Sequence, residues 1–348
     1  MRFYTSTHQY YCGIDLHTRV MYLCIIRDNG EIVLHRNMKA DPESLLKVIE
    51  PYRPDLVIGV ECIFTWYWIA DLCAEEGIPF VLGHALYMKA IHGGKAKNDR
   101  IDSRKIAALL KGGTFPMAYV YPRKMRASRD LLRRRTYLVR KRADLISHIQ
   151  NTNSQYNHDP FGRSNIAHKC RREEVLGHFE DTEVLMSMKV DFTLIDQLTV
   201  QIRAMEKHVL DNARYHDPQS LHLIRSIYGI GKILSLTILY EIGDIDRFPR
   251  VQEFASYSRL VKCSRESAGK RYGTSGSKIG NVHLKWAFSE AAVLFLRCNP
   301  EGLKYKKRLE KKHGKAKALS ILAHKLGRTV YFILKRRQVF DMRKFLCA

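Results

Sequence analysis

"YYCGIDLHTRVMYLCIIRDNGEIVLHR", residues 10–36, decides the fold of the front of this chain. Three short apolar runs follow one another, and Asp28-Asn29-Gly30 separates "MYLCII" from "EIVLH". An Asx-Gly turn between apolar runs predicts a β-hairpin, so the chain should open with three strands. Beyond it, "DPESLLKVIEPY" predicts a helix, and "DLVIGVEC" is short enough to be a buried strand. "TWYWIADLCAEEG" predicts a helix ending at Gly77, "IPFVLG" a further strand, and "SRKIAALLKGG" a helix stopped by its glycines. Three strands followed by alternating helices and strands make a mixed α/β sheet covered by helices.

Charge divides the chain. It has 348 residues and a net charge of +24, but residues 1–120 carry only +1 and the remainder +23. A near-neutral front and a polycationic rear point to nucleic acid, since releasing counterions from phosphate favours such a surface. No run of about 18 apolar residues suggests a membrane span, and "MRFYTSTHQYY" lacks the apolar core of a signal peptide. Eight scattered cysteines without a C-x-x-C pair argue against zinc and against a disulfide framework. A reducing, cytoplasmic setting is expected.

Acids stand where strands end. Asp15 closes the first strand in "GIDLH" and Glu61 the buried one in "GVEC". "KNDRIDSRK", residues 97–105, adds Asp99 and Asp102, which share a helix face at that spacing. On the plain reading Asp99 caps a solvated helix among basic partners. If the strands are neighbours, however, all four carboxylates converge, and such a cluster needs divalent cations. Two Mg²⁺ ions about 3.5–4 Å apart would form the clamp used for in-line displacement at phosphorus. Lys97, Arg100 and Arg104 would then face the phosphates of the substrate.

Residues 124–152 hold apolar pairs at Leu131/Leu132, Leu138/Val139 and Leu145/Ile146, the seven-residue spacing of a helix packed along another. Between them lie Arg133, Arg134, Arg140 and Lys141, a solvated face or a nucleic-acid track. "FTLIDQLTVQIRAMEKHVLDNA" (192–213) offers the returning arm, after the loop-like "NHDPFGRSN", with room for a short helix at 170–190. Farther on, "LHLIRSIYGIGKILSLTILYEIG" predicts helix, tight turn, helix. Gly229, Gly231 and Lys232 could there present free amides and a cation to a phosphate. The expected domains are a mixed-sheet domain at 1–122, a basic helical segment at 123–215 and a mainly helical domain at 216–348.

The set Asp15, Glu61, Asp99 and Asp102, in "GIDLH", "GVEC" and "NDRIDS", resembles the DEDD tetrad of RuvC-like nuclease domains. More specifically, the chain is similar to the DEDD insertion-sequence transposases, also called bridge-RNA-guided recombinases. The likeness extends through the basic middle and the "GIGK" hairpin to the stretch at 254–292. It implies a RuvC/RNase H-like first domain, a helix-hairpin-helix-like element, and a nucleophilic serine at the position of Ser267 in "RESAGK". It also implies a site completed by different protomers, donor and target double-stranded DNA, a structured non-coding guide RNA, and a homodimer that pairs into a tetramer. Read from the residues alone, Ser267 sits in a polar, glycine-containing loop with Lys270 and Arg271 nearby, and Ser264, Ser275, Ser277 and Tyr272 remain rivals. A metal-dependent junction resolvase and a non-catalytic nucleic-acid scaffold stay open beside the recombinase.

Overall fold

The computed structural model describes residues 2–91, 98–275 and 279–347. The chain forms two compact units, Met1–Arg123 and Lys124–Ala348.

The first unit contains strands β1 (Phe3–Tyr4), β2 (Tyr10–Leu16), β3 (Val20–Arg27) and β4 (Ile32–Lys39), then α1 (Pro42–Ile49) and β5 (Leu56–Glu61). α2 (Tyr67–Glu75), β6 (Phe80–Gly83), α3 (Ala85–Ile91), α4 (Asp99–Lys111) and β7 (Phe115–Pro116) complete it. Five strands form one mixed sheet in the order β4-β3-β2-β5-β6; β2, β3 and β4 are antiparallel, whereas β5 and β6 run parallel to β2. The expected turn joins β3 to β4: the Asn29 amide donates to the Asp28 carboxylate, and Gly30 takes a φ of +94°. A glycine meets that left-handed geometry at no steric cost.

Strand alternation gives the sheet two different faces. Cys12, Ile14 and Leu16 of β2 join Ile58 and Val60 of β5 against Leu45 and Ile49 of α1 and Ile69 and Cys73 of α2. The opposite face carries Tyr11 and Val57, packed against Ile106, Leu109 and Leu110 of α4. On that face Gly13 and Gly59 are register partners. A Cβ on Gly13 would collide with the Ser103 carbonyl and the Ala107 amide, and one on Gly59 would lie 2.6 Å from Leu110 Cδ1. The glycine pair is therefore the groove into which α4 settles.

The second unit is helical except for one hairpin. α5 (Arg123–Gln155) and α8 (Thr182–His216) are joined through α6 (Arg163–Ala167) and α7 (Arg172–Leu176). Arg135 pairs with Glu206, Arg142 with Thr199 and His148 with Asp191, so the two long helices run antiparallel with contacts about seven residues apart. Two of the three heptad-spaced apolar pairs of α5 pack in this way: Leu132 clusters with Val209, and Leu145 and Ile146 pack with Phe192 and Ile195. α8 starts ten residues earlier than the apolar run at 192 suggested. Asp181 caps it there, its carboxylate accepting from the amides of Glu183 and Val184.

α9 (Pro218–Arg225), α10 (Lys232–Ile242), α11 (Val251–Tyr257), α12 (Val282–Leu294), α13 (Pro300–His313), α14 (Lys315–Arg336) and α15 (Met342–Cys347) surround a core that includes Tyr240, Phe254, Phe288 and Phe295. Between α11 and α12 the expected loop is instead a β-hairpin, β8 (Cys263–Ser267) with β9 (Lys270–Ser275). Ala268 and Gly269 turn it with φ of +50° and +71°, the two positive values of a tight two-residue hairpin turn. Among the described residues, no helix is long and apolar enough to cross a membrane.

Candidate active site

Ile14 and Val60 are register partners on parallel strands, so Asp15 and Glu61 occupy equivalent positions at the next step, on the face that α4 covers. α4 begins beside them. Asn98, not Asp99, is its N-cap: the Asn98 side-chain oxygen accepts from the Ile101 amide at 2.8 Å. The plain reading of Asp99 as a cap is thereby corrected, because a residue with extended backbone one step earlier already fills that role. Asp99 and Asp102 stand in the first helical turn, where the helix dipole favours negative charge.

Asp15 lies within electrostatic reach of the other three acids. Burial raises the Asp15 pKa; His17 opposes that shift, and Asp99, Asp102 and Glu61 each add to it by repulsion. Asp15 is the inner member, its side chain 15% exposed, while Asp99 is 53% exposed. His17 places Nε2 3.6 Å from Asp15 Oδ2 and 3.4 Å from Asp99 Oδ2, and these three ligand atoms all lie within 4.8 Å of one another. Lys105 Nζ reaches Asp102 Oδ1 at 3.5 Å. Carboxylate oxygens gathered in a partly desolvated pocket are the donor set of a hard divalent cation. Arg100 and Arg104 are exposed on α4, and Lys97 lies outside the described residues.

His35 is a positioning group that sequence reading missed. From β4 its Nε2 meets the Arg100 carbonyl oxygen at 2.9 Å and Ser103 Oγ at 3.4 Å, and its ring stands edge-on to Tyr22. It ties the first turn of α4 to the sheet edge. A histidine among the aliphatic residues of "EIVLH" was the available signal.

Ser267 ends β8 beside the turn, register partner of Lys270, and both are exposed. It is a hairpin-tip residue and not the loop residue expected, because the Ala268-Gly269 turn lets flanking residues pair. The side chains of Ser264, Arg271, Tyr272 and Ser275 lie outside the description, as does Ser277.

Two family models match this chain. One, a DEDD transposase model, covers residues 12–158 and so contains all four acids. The other, described as the transposase IS116/IS110/IS902 family, covers residues 221–307 and so contains Ser267. The chain belongs to the DEDD insertion-sequence transposases. It is also similar, 22% identical over 344 residues, to the transposase for insertion sequence element IS1111A of Coxiella burnetii (strain RSA 493 / Nine Mile phase I). That alignment covers 94% of this chain and 90% of the relative. The enzyme is thus a DNA transposase.

The basic helix of the transposase is less free than its sequence suggests. Arg133 makes a two-pronged contact with Glu241, Nε to Oε1 at 2.6 Å and Nη2 to Oε2 at 2.9 Å, and Arg129 Nε meets Oε2 at 3.0 Å. Asn281 Nδ2 donates to the same carboxylate at 2.8 Å. Arg133 therefore serves an internal ion network, which corrects its assignment to the outward track. Arg134, Arg140 and Lys141 remain exposed, and Arg134 and Lys141 flank the exposed ring of Tyr137 at 4.9 and 5.8 Å. Glu241 also escaped sequence reading, although a lone acid inside "ILSLTILYEIG" signals a buried partner.

At the α9–α10 turn the two glycines differ in role. Gly229, with φ +79°, abuts the backbone of Leu294 and Phe295, so any side chain would clash. Gly231 caps α10 with open space around it, and Lys232 beside it is exposed. Both line a cleft of about 600 Å³ shared with Arg203 and Lys207 of α8. The cleft is also lined by Glu206 and by the apolar Leu210, Ile233, Leu234 and Leu294.

Proposed function

We propose that this transposase cuts and rejoins DNA through a phosphoserine bond at Ser267, aided by Mg²⁺ and directed by a structured non-coding RNA. The observation that carries the metal half is Asp15, whose charge is disfavoured by burial and by three acidic neighbours. Asp15, Glu61, Asp99 and Asp102 would hold the ions, which supply charge neutralisation at the phosphate and activation of the nucleophile. The order of three antiparallel strands followed by two parallel ones supports a RuvC/RNase H-like fold, and the α9–α10 turn supports a helix-hairpin-helix role. The three-part division at 1–122, 123–215 and 216–348 belongs to this reading.

In the covalent step, Ser267 Oγ forms a bond to a backbone phosphorus and the bond to one sugar oxygen breaks. The serine proton is matched by the proton gained by the departing hydroxyl, and reversal with a different hydroxyl rejoins the strands. Phosphoester energy is conserved, so no nucleotide cofactor is required. Lys270 and, in sequence, Arg271 supply positive charge beside Ser267. Guidance by RNA draws support from the +23 charge after residue 120 and from the Arg134–Tyr137–Lys141 platform, since unpaired bases stack on exposed rings.

Assembly as a dimer that pairs into a tetramer draws support from α8. Met186, Val190, Leu194 and Val200 are exposed along one side of that helix, whereas the α5 seam is already occupied. Light scattering of a Met186→Lys, Val190→Lys variant should show a smaller species than the parent.

Ser267→Ala decides between strand transfer and hydrolysis. Labelled DNA run on denaturing gels should yield a protein–DNA adduct with the parent enzyme and none with the variant, while both still bind DNA and RNA. An adduct persisting in Ser267→Ala moves the nucleophile to a rival such as Ser264 or Tyr272. Cleaved ends without an adduct in the parent favour a metal-dependent structure-selective nuclease acting by water.

A further inference from the structure

We infer that the outward face of α13 docks the phosphate backbone of duplex DNA, an inference that rests on the chain being a DNA transposase. Residues 300–317, which are α13, Gly314 and the start of α14, contain eight Lys and Arg against two Glu. Their placement matters more than their number. Lys304, Lys307, Arg308, Lys311 and Lys312 recur at intervals of three and four, so they share one side of the helix, and all are exposed. Gly302 and Tyr305 lie on the other side: Gly302 is buried against Phe295, and Tyr305 packs against the core.

The stripe has no acidic partners of its own. Lys306 pairs with Glu310 at 3.0 Å, but among the described residues none of the five outward cations makes an ion pair. Like charges at these intervals repel each other along the helix. Lys311 and Lys312 stand in the last turn, where the helix dipole favours cations, and the Arg308 guanidinium lies 5.2 Å over the Tyr305 ring, but that leaves Lys304 and Lys307 unexplained. A polyanion laid along the helix accounts for all five. They extend over about 12 Å of helix axis, a density of cations that approaches the charge spacing of a DNA duplex. Lys315 and Lys317, exposed at the start of α14, continue the positive surface beyond Gly314.

The absence of an outward ring selects the duplex. Tyr305 is turned inward, its ring 4.6 Å from Lys325 Nζ and 6.2 Å from the Phe345 ring. Single strands are gripped by stacking bases on exposed aromatic side chains, which this face lacks. The α5 helix presents the converse, with several of its arginines engaged internally and an exposed tyrosine between two cations. The two helices thus suit different nucleic acids. The match to the IS116/IS110/IS902 family ends at residue 307, so three of the five stripe residues lie beyond it.

The test is a Lys304→Ala, Lys307→Ala, Lys311→Ala, Lys312→Ala variant of the full chain, which leaves Arg308 on Tyr305. Affinity for a duplex DNA oligomer is measured from 50 to 200 mM salt, with a single-stranded RNA oligomer as the second probe. Each lost phosphate contact lowers the logarithmic salt slope by about 0.9, so four should lower it by about 3–4. The parent should then lose roughly a hundredfold more duplex affinity than the variant across that range. RNA affinity should stay within about twofold of the parent, and an unchanged circular dichroism spectrum certifies the fold. A Lys307→Glu, Lys311→Glu variant should weaken duplex binding further. An unchanged duplex slope in the variant would overturn the assignment and leave α13 a solvated face. A loss confined to RNA would overturn it as well, giving the surface to RNA. Failure of the parent itself to bind duplex DNA would instead sink the DNA-handling reading on which the inference rests.

Discussion

Replacing Glu241 by Gln tests whether the buried ion network holds the second unit together. Glu241 is 2% exposed, yet its pKa is lowered to about 2 from an ordinary 4.5. Burial alone would raise it; the Arg133 hydrogen bond, the charges of Arg129 and Arg133, and the Asn281 amide more than offset that burial. Holding the carboxyl so far down corresponds to about 3 kcal/mol of preference for the charged form. The cost of removing one partner of a buried ion pair is of similar size, about 3–5 kcal/mol, because the guanidiniums are left without their counter-charge.

For a unit of this size, about 3 kcal/mol lowers the melting temperature by roughly 6–12 °C. The sign of the pH dependence follows from the depressed value. Between pH 4.5 and 2 the unfolded chain binds a proton at Glu241 that the folded chain does not. The stabilisation is complete above about pH 4.5 and is lost as pH falls toward 2. Urea unfolding followed by the fluorescence of Trp286, which packs on this core, should show a midpoint that falls with acidification in the parent. The Glu241→Gln variant should start lower and fall less. A variant within about 0.5 kcal/mol of the parent, with the same acid dependence, would refute the reasoning.

Two further outcomes concern the carboxylate cluster. Asp15→Asn should abolish strand exchange and weaken Mg²⁺ binding in calorimetry by at least about tenfold, leaving RNA binding nearly intact. Because burial and three acids disfavour its charge, the same change should raise the melting temperature of the metal-free chain; a lower one would contradict the crowding of acids inferred there. Gly13→Ala should destabilise the first unit by about 1–3 kcal/mol and reduce Mg²⁺ binding too, since its methyl group displaces the helix that carries Asp99 and Asp102. Normal Mg²⁺ binding by a folded Gly13→Ala chain would separate the groove from the site.

How far the sequence could be read follows from which signals are local. The Asp28-Asn29-Gly30 turn and the strand alternation around it are local, and they prescribed β2, β3 and β4, though not the short β1 before them. The seven-residue spacing of α5 likewise announced a helical partner, and α8 supplied it. Three features depended on contacts distant in sequence. Arg133 looked free until Glu241, 108 positions later, took its guanidinium. His35 looked like a strand residue until it met the Arg100 carbonyl 65 positions on. Ser267 looked like a loop residue because "ESAGKRYGTS" has little apolar alternation, and only its pairing with Lys270 makes it part of a strand.

Gly13 and Gly59 show how the same local residues can carry distant consequences. In a strand, glycine ordinarily weakens the sheet, so two of them side by side need a reason. Here the missing side chain of Gly13 admits the α4 backbone onto β2, and that of Gly59 admits the Leu110 side chain onto β5. Asp15 and Glu61 follow two residues later on the same face, because side chains alternate with period two. The helix that fits the groove begins with Asn98 as its cap, which leaves Asp99 and Asp102 in the first turn at the strand ends. Bulkier residues at 13 and 59 would push the helix outward and part the two pairs of acids. The approach of the other three acids to Asp15 therefore depends on two glycines as much as on the acids themselves.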